Sequence, residues 1–120
     1  MDALTLARLH GVVRVLIGGA HVLAPARIPA AWVGRDARRA GVQVFALAFG
    51  ARDAAIGGGV LTAGGPDAAR PWVLAGAASD AADLLATLRS RDDLPRLAVA
   101  GVTALATTST LLGLWLAREL

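Results

Sequence analysis

Residues 97–117, Leu-Ala-Val-Ala-Gly-Val-Thr-Ala-Leu-Ala-Thr-Thr-Ser-Thr-Leu-Leu-Gly-Leu-Trp-Leu-Ala, contain no charged side chain. One helix needs about 20 mainly apolar residues to cross the hydrocarbon core of a bilayer, and this run supplies them. Three apolar stretches precede it, and each carries charge near its middle: Arg14 in the first, Arg52 and Asp53 in the second, Asp80 and Asp83 in the third. Charge at the centre of a membrane helix is costly and persists where it is paired, wetted or functional. The sequence therefore describes a small polytopic membrane protein.

Composition agrees. The 120-residue chain, long enough for one domain, is 56% hydrophobic and 18% charged. Soluble domains run at about 45–50% apolar and about a quarter charged. All 12 basic residues are arginine and the formal net charge is +3. The arginines lie between apolar runs rather than on one polar face, so no nucleic-acid partner is expected. Cysteine is absent, which excludes disulfides, thiolate metal sites and cysteine nucleophiles. The first apolar segment is interrupted by Arg14 and lacks the basic, apolar, small-residue order of a cleavable leader, so none is expected.

The spacing predicts an all-α fold of four transmembrane helices, about 4–23, 41–63, 71–89 and 94–117, in an up-down antiparallel bundle. Pro25 and Pro29 close the first helix, Gly64-Gly65-Pro66 closes the second, and Pro71 suits the first turn of the third. Strands are not expected, because alternation is missing and alanine dominates. A soluble four-helix bundle would show a charged face every turn or two. Val15–Ala26, Ala40–Ala51 and Leu97–Ala117 show none.

Arginine counts set the orientation. The first connection holds Arg27, Arg35, Arg38 and Arg39, and the third holds Arg89, Arg91 and Arg96; the second connection and both tails hold only Arg70, Arg8 and Arg118. Basic residues favour the cytoplasmic side, so connections one and three are expected inside the cell membrane and both termini outside. The tryptophans agree, with Trp72 and Trp115 at the outer interface and Trp32 at the inner one, where indole rings concentrate. Residues 30–40 suit either a short helix on the anionic inner leaflet or a topology-setting loop, and the loop is the plainer reading.

The intramembrane charges share a depth. At about 1.5 Å per residue, Arg14, Arg52 with Asp53, and Asp80 lie near the middle of antiparallel neighbours, with Asp83 one turn nearer the cytoplasm. Steps of three and four place His10, Arg14, Ile17 and His21 on one stripe, and Gly76, Asp80, Asp83 and Thr87 on another. Phe49, Arg52, Asp53 and Ile56 form the matching side of the second helix, and Thr103, Thr107 and Thr110 the polar stripe of the fourth. Unpaired, five such charges would cost on the order of 15 kcal/mol on insertion scales, so a buried Arg14–Arg52–Asp53–Asp80–Asp83 network is expected. Its formal charge of minus one leaves room for a proton or a bound cation. His10, His21, Thr103 and Thr107 are the candidate polar lining.

Other signals are weaker. His10 and His21 are nearly in phase, but with no third histidine in the chain a haem bridged between helices lacks ligands, and no cofactor is expected. Gly57-Gly58-Gly59 has no preceding strand and lacks the third glycine of a dinucleotide fingerprint, so close helix packing explains it. Two aspartates three apart do not make a metal site by themselves, and no metal is expected. Ser79, Thr103, Thr107, Thr108, Ser109 and Thr110 suit bonds to backbone carbonyls, and no catalytic set is apparent.

The Gly50-Ala51-Arg52-Asp53 segment followed by Gly57, the arginine-rich first connection, and Ser79-Asp80-Ala81-Ala82-Asp83 after Pro71-Trp72 resemble an uncharacterised family of small four-helix bacterial integral membrane proteins. The resemblance spans most of the chain and implies the four-span fold without an activity. A looser likeness to small redox-associated four-helix membrane proteins brings no cofactor ligands with it.

Two function classes follow. Arg–Asp pairs can lock helix register, which makes a structural or accessory membrane subunit the plainer expectation, in lipid as a homo-oligomer or within a larger membrane complex, packing through small faces such as Ala54–Gly58 and Ala77–Ala81. The alternative is a small proton-linked or ion/solute transporter using the midplane carboxylates. An enzyme ranks behind both. Single Asp80→Asn and Asp83→Asn replacements, read by stability and by proton-coupled flux, separate the first two, and whether a water-filled cavity touches Asp80 is the structural observation that narrows the choice most.

Overall fold

The first helix begins where Asp2 can cap it. The Asp2 carboxylate accepts the Thr5 N–H at 2.8 Å and the Thr5 hydroxyl at 3.0 Å, satisfying a backbone donor that has no partner within the helix. In the computed structural model, which describes residues 1–120, α1 (Ala3–Leu23) is followed by α2 (Ala30–Val33), a 3-10 turn (Gly34–Arg38), α3 (Ala40–Thr62), α4 (Pro66–Arg89) and α5 (Arg96–Glu119). There are no strands.

Three of the long helices end within about two residues of the sequence-based boundaries. The exception is α4, which starts at Pro66 rather than near Pro71. Pro66 follows Gly65 and takes the first helical position, where its missing N–H has no intrahelical bond to lose. Pro71 therefore sits inside the helix, in the mostly exposed stretch 70–72. In the first connection, α2 and the 3-10 turn replace the expected loop.

Three helices, α1, α3 and α5, are long and apolar enough to cross a membrane, with mean hydropathy 1.3, 1.4 and 1.7 over their most apolar stretches. The 24-residue α4 is long enough, but Asp80 and Asp83 in its middle lower its hydropathy.

The helices pack as two pairs, α1 with α3 and α4 with α5, joined mainly through α3 and α4, so a cleft remains between α1 and α5. Glycines set the first pair. Gly11 and Gly18 on α1 are seven residues apart, as are Gly50 and Gly57 on α3, so each pair shares a helix face. A Cβ at Gly50 would lie 2.5 Å from the Gly18 carbonyl oxygen, and one at Gly57 would strike the Gly11 carbonyl oxygen. Only small residues permit backbones this close. At one end Ala7, Val60, Val73, Leu116 and Ala117 form the apolar core cluster, bringing together the starts of α1 and α4 and the ends of α3 and α5. At the other end Gly34, at φ +63°, turns the first connection against Pro95 of the third.

Two small-residue faces expected to serve self-association are partly used within the chain. Ala54 backs the Gly18 contact and Ala77 packs on Gly113, while Gly58 has nothing within 4 Å of its would-be Cβ and Ala81 is exposed.

Burial is inverted relative to a soluble domain. Arg14, Asp53 and Asp80 are 5%, 5% and 9% exposed, whereas Leu16, Phe45, Leu97 and Leu111 are 66%, 77%, 89% and 62% exposed. Water-soluble proteins bury large apolar side chains and keep charges outside; contiguous apolar exterior on this scale marks a surface meant for lipid or another apolar partner.

Candidate functional site: a charged network on a cavity wall

Arg14 is the hub. It rises from α1, donates from Nη1 to Asp53 Oδ1 on α3 at 3.1 Å, and from Nη2 to the Gly76 carbonyl on α4 at 3.0 Å and to Asp80 Oδ2. Gly76 makes the approach possible, since a Cβ there would lie 3.0–3.1 Å from three atoms of the guanidinium group. The same Asp80 oxygen accepts the Ser109 hydroxyl of α5 at 2.6 Å, and His10 Nε2 lies 3.0 Å from that hydroxyl. Ser109 has one proton and gives it to Asp80, so His10 donates through Nε2–H.

Arg52 forms the second node. It grips Asp83 with both terminal nitrogens, Nη2 to Oδ2 at 2.8 Å and Nη1 to Oδ1 at 3.3 Å, and reaches Asp53 Oδ1 at 3.3 Å. Two-pronged arginine–carboxylate contact is the stronger and more directional kind. Its guanidinium carbon sits 4.6 Å from the centre of the Phe49 ring, a cation–π contact, while its Nε is buried without a partner. Asp53, held by both arginines, ties the two nodes together. All five charged residues expected at the midplane thus meet in one network.

An aromatic cluster borders it. His21 lies 4.7 Å and Trp32 5.6 Å from Phe49, centroid to centroid. Trp32 Nε1 donates to Thr87 Oγ1 at 3.0 Å, and Thr87 donates to the Asp83 carbonyl at 2.7 Å. His21 Nδ1 lies 2.9 Å from the Ile17 carbonyl. A carbonyl only accepts, so Nδ1 carries a proton and donates it.

The network forms part of a cavity wall. A cavity of about 420 Å³ occupies the cleft between α1 and α5; its charged lining is Arg14, Asp53, Asp80 and Asp83, joined by His10 and His21. Apolar side chains such as Val13, Ile17, Val102 and Leu105 make most of the remaining wall. A second cavity of about 470 Å³ shares His21, Trp32, Phe49 and Asp83 with the first, so these side chains form the partition between the two.

Of the expected polar lining, His10 and His21 face the central cavity. Thr107 and Thr103 instead line a groove between α4 and α5 with Arg96 and Leu88, and the Thr103 hydroxyl is buried without a partner. From α5 the cavity is lined by Val102, Leu105, Ala106, Thr108, Ser109 and Leu112, displaced around the helix from the Thr103–Thr107–Thr110 stripe. Sequence reasoning put Gly76 on the stripe of Asp80 but missed its carbonyl as a partner of Arg14, gave Ser109 to backbone carbonyls rather than to Asp80, and missed the inward position of Trp32. Ser109 carried a readable signal as a polar residue in three-and-four step with the apolar Val102, Leu105, Ala106 and Leu112.

No known protein family, curated protein or solved structure matches this chain. The site's chemistry must be read from its own geometry. Acceptors, cationic donors, titratable imidazoles and an apolar chamber on the scale of a small molecule occur together, which suits holding a small solute beside groups that exchange protons. No cluster of three or more side chains that could hold a metal ion is present.

Proposed function

We propose that this is a four-span inner-membrane protein, an up-down antiparallel bundle with connections one and three in the cytoplasm and both termini outside, that acts as a small proton-linked carrier. The observation that carries the reading is the cavity whose wall holds Asp53, Asp80 and Asp83 beside Arg14. A register lock alone needs no chamber at its charges, whereas a carrier needs one. The outward large apolar side chains and the meeting of the first and third connections at one end support the span number and the inward position of the seven connection arginines. Membership of the uncharacterised family of small four-helix bacterial integral membrane proteins belongs to the same proposal, supported by Arg52, Asp53, Asp80 and Asp83 of the resembling motifs meeting in one site.

One observation favours the structural reading: each carboxylate already has an arginine. The test separates the two. Asp80→Asn and Asp83→Asn each leave two arginines and two carboxylates, so the remaining charges balance and either variant can keep its fold. In proteoliposomes with an internal pH-sensitive dye and an imposed potassium-diffusion potential, a carrier loses proton flux in both variants while melting in detergent stays near wild type. Large losses of folded yield in both variants, or wild-type flux no greater than that of empty vesicles, would overturn the carrier and leave the accessory subunit.

A further inference from the structure

The charge balance of the network changes when His10 is included. Arg14 and Arg52 oppose Asp53, Asp80 and Asp83, and one positive charge on His10 makes the set neutral. His10 is joined to the set by the 3.0 Å contact to Ser109 and the 2.6 Å bond from Ser109 to Asp80 Oδ2. We propose that His10, Ser109 and Asp80 form a proton relay, with Ser109 as the relay residue, through which a proton moves between the outer half of the protein and the cavity carboxylate. This rests on the proton-linked reading and adds the route and the acceptor.

The transfer balances. In the charged state His10 is an imidazolium and Asp80 a carboxylate paired with Arg14. As the His10 Nε2–H bond breaks, a bond forms from that proton to Ser109 Oγ. The original Ser109 O–H bond breaks as Asp80 Oδ2–H forms. One proton leaves the imidazole, one arrives at the carboxyl, and the hydroxyl is restored. The six-residue charge is zero before and after, so no charge is created in the apolar interior, where it would be costly.

Among the groups facing His10, the arginine disfavours an imidazolium and the carboxylate favours it. On α1 itself Arg14 lies one turn away; from α4 comes Asp80; from α5 comes the uncharged Ser109; and Asp53 of α3 acts from behind Arg14. When Asp80 is neutral, Arg14 keeps Asp53 and the Gly76 carbonyl, so the hub stays anchored while the wall of the cavity changes charge. His10 lies eleven residues nearer the N-terminus than His21 on the same helix, on the side assigned to the outer face, and the relay runs from it along the chamber wall to Asp80. A structural hydrogen bond would not require the order imidazole, hydroxyl, carboxylate; a relay does.

The test follows the carboxyl group directly. Full-length protein in bilayer discs is subjected to a rapid pH drop while the carbonyl stretch of a protonated carboxylic acid is recorded by infrared; loss of the band in Asp80→Asn assigns it. Ser109→Ala is expected to slow its appearance by about a hundredfold, the low end of what a positioned proton-transfer group contributes, with its final amplitude unchanged. Ser109→Thr, which keeps a hydroxyl, is expected to restore the rate. If Ser109→Ala does not assemble, His10→Gln gives the same reading, since its amide can reach the hydroxyl but cannot carry a proton. An unchanged rate in Ser109→Ala or His10→Gln overturns the relay, because water in the cavity then serves Asp80 directly, and it leaves the carrier reading standing on its flux test. Absence of any Asp80 band in the wild type also overturns it.

Discussion

Replacing Arg14 by methionine tests the hub. The long side chain keeps much of the volume, but Asp80 is left with the Ser109 hydroxyl alone and Asp53 with a single Arg52 contact at 3.3 Å. Arg14 is 5% exposed and its partners nearly as buried, so screening by water is small. Removing one partner of a buried pair costs about 3–5 kcal/mol, a large share of the roughly 5–15 kcal/mol that holds a typical protein together. The Arg14→Met variant should melt far below wild type in detergent. The more telling measurement is the double variant. Asp80→Asn removes the stranded charge, so it should raise stability in the Arg14→Met background although it is near neutral in the wild type, a coupling of about 1–3 kcal/mol. The assay is thermal or denaturant unfolding followed by far-UV circular dichroism for all four members of the cycle. Simple additivity, or an Arg14→Met protein as stable as wild type, would refute the hub.

Glycine positions should respond in opposite directions. Gly57→Ala drives a Cβ against the Gly11 carbonyl and within 3.0 Å of Arg14 Cβ and should sharply lower folded yield on a size-exclusion column; Gly58→Ala, with open space at the Cβ, should be neutral or gain about 0.5–1 kcal/mol in unfolding experiments. Trp32→Phe keeps an aromatic ring but removes the 3.0 Å bond to Thr87 and should cost about 1 kcal/mol, read by the same melts. With single cysteines at Arg38 and Ala68, both exposed, an impermeant thiol reagent added to intact cells should label Ala68→Cys and reach Arg38→Cys only once the membrane is opened; labelling of Arg38→Cys in intact cells would invert the topology. Asp2 is held below its ordinary value of 3.8 by the Thr5 N–H it accepts, so its cap is complete above that pH and is lost as pH falls through the lower folded value. Amide exchange in the first turn of α1 should therefore quicken only in strong acid, and Asp2→Ala should remove that dependence.

The helices were legible because a lipid-exposed surface leaves little room for polar residues, and uninterrupted apolar length is a strong signal. The start of α4 was not, because Pro66 and Pro71 both fit a first turn and only the packing of Trp72 over Gly59 reveals that the helix is already under way. The charged network was legible through depth and spacing: five costly groups in one slab have few places to go except toward one another. Its finer wiring was not. The Thr103–Thr107–Thr110 stripe looked like the polar edge of the last helix, yet a threonine returns its hydroxyl to its own helix at little cost, as Thr110 does to Ala106 at 2.7 Å, and so can sit on either side. Ser109 turns inward with the apolar stripe. Its partner, Asp80, lies 29 residues away, and the pairing depends on a crossing geometry that no local pattern encodes. The cavity was equally hidden, since it follows from what α1 and α5 fail to bury against each other.

Fold and site are here one arrangement. The helix that carries Asp80 and Asp83 is the one whose own hydropathy does not mark it as a span. Each carboxylate at the centre of an isolated helix would cost roughly 2.5–3.5 kcal/mol to insert. Arg14 of α1 and Arg52 of α3 offset that cost, and they reach α4 only because glycines bring α1 within backbone contact of α3 and Gly76 opens a notch for the guanidinium group. The first two long helices therefore prepare the place into which the third fits. The fourth, uncharged from Leu97 to Ala117, closes the far side through one hydroxyl on Asp80. Had stability been the only requirement, apolar side chains of similar size could replace such a network at no loss. A network that puts Arg14, Asp53, Asp80 and Asp83 on the wall of a chamber of about 420 Å³ makes sense when something enters that chamber and meets them.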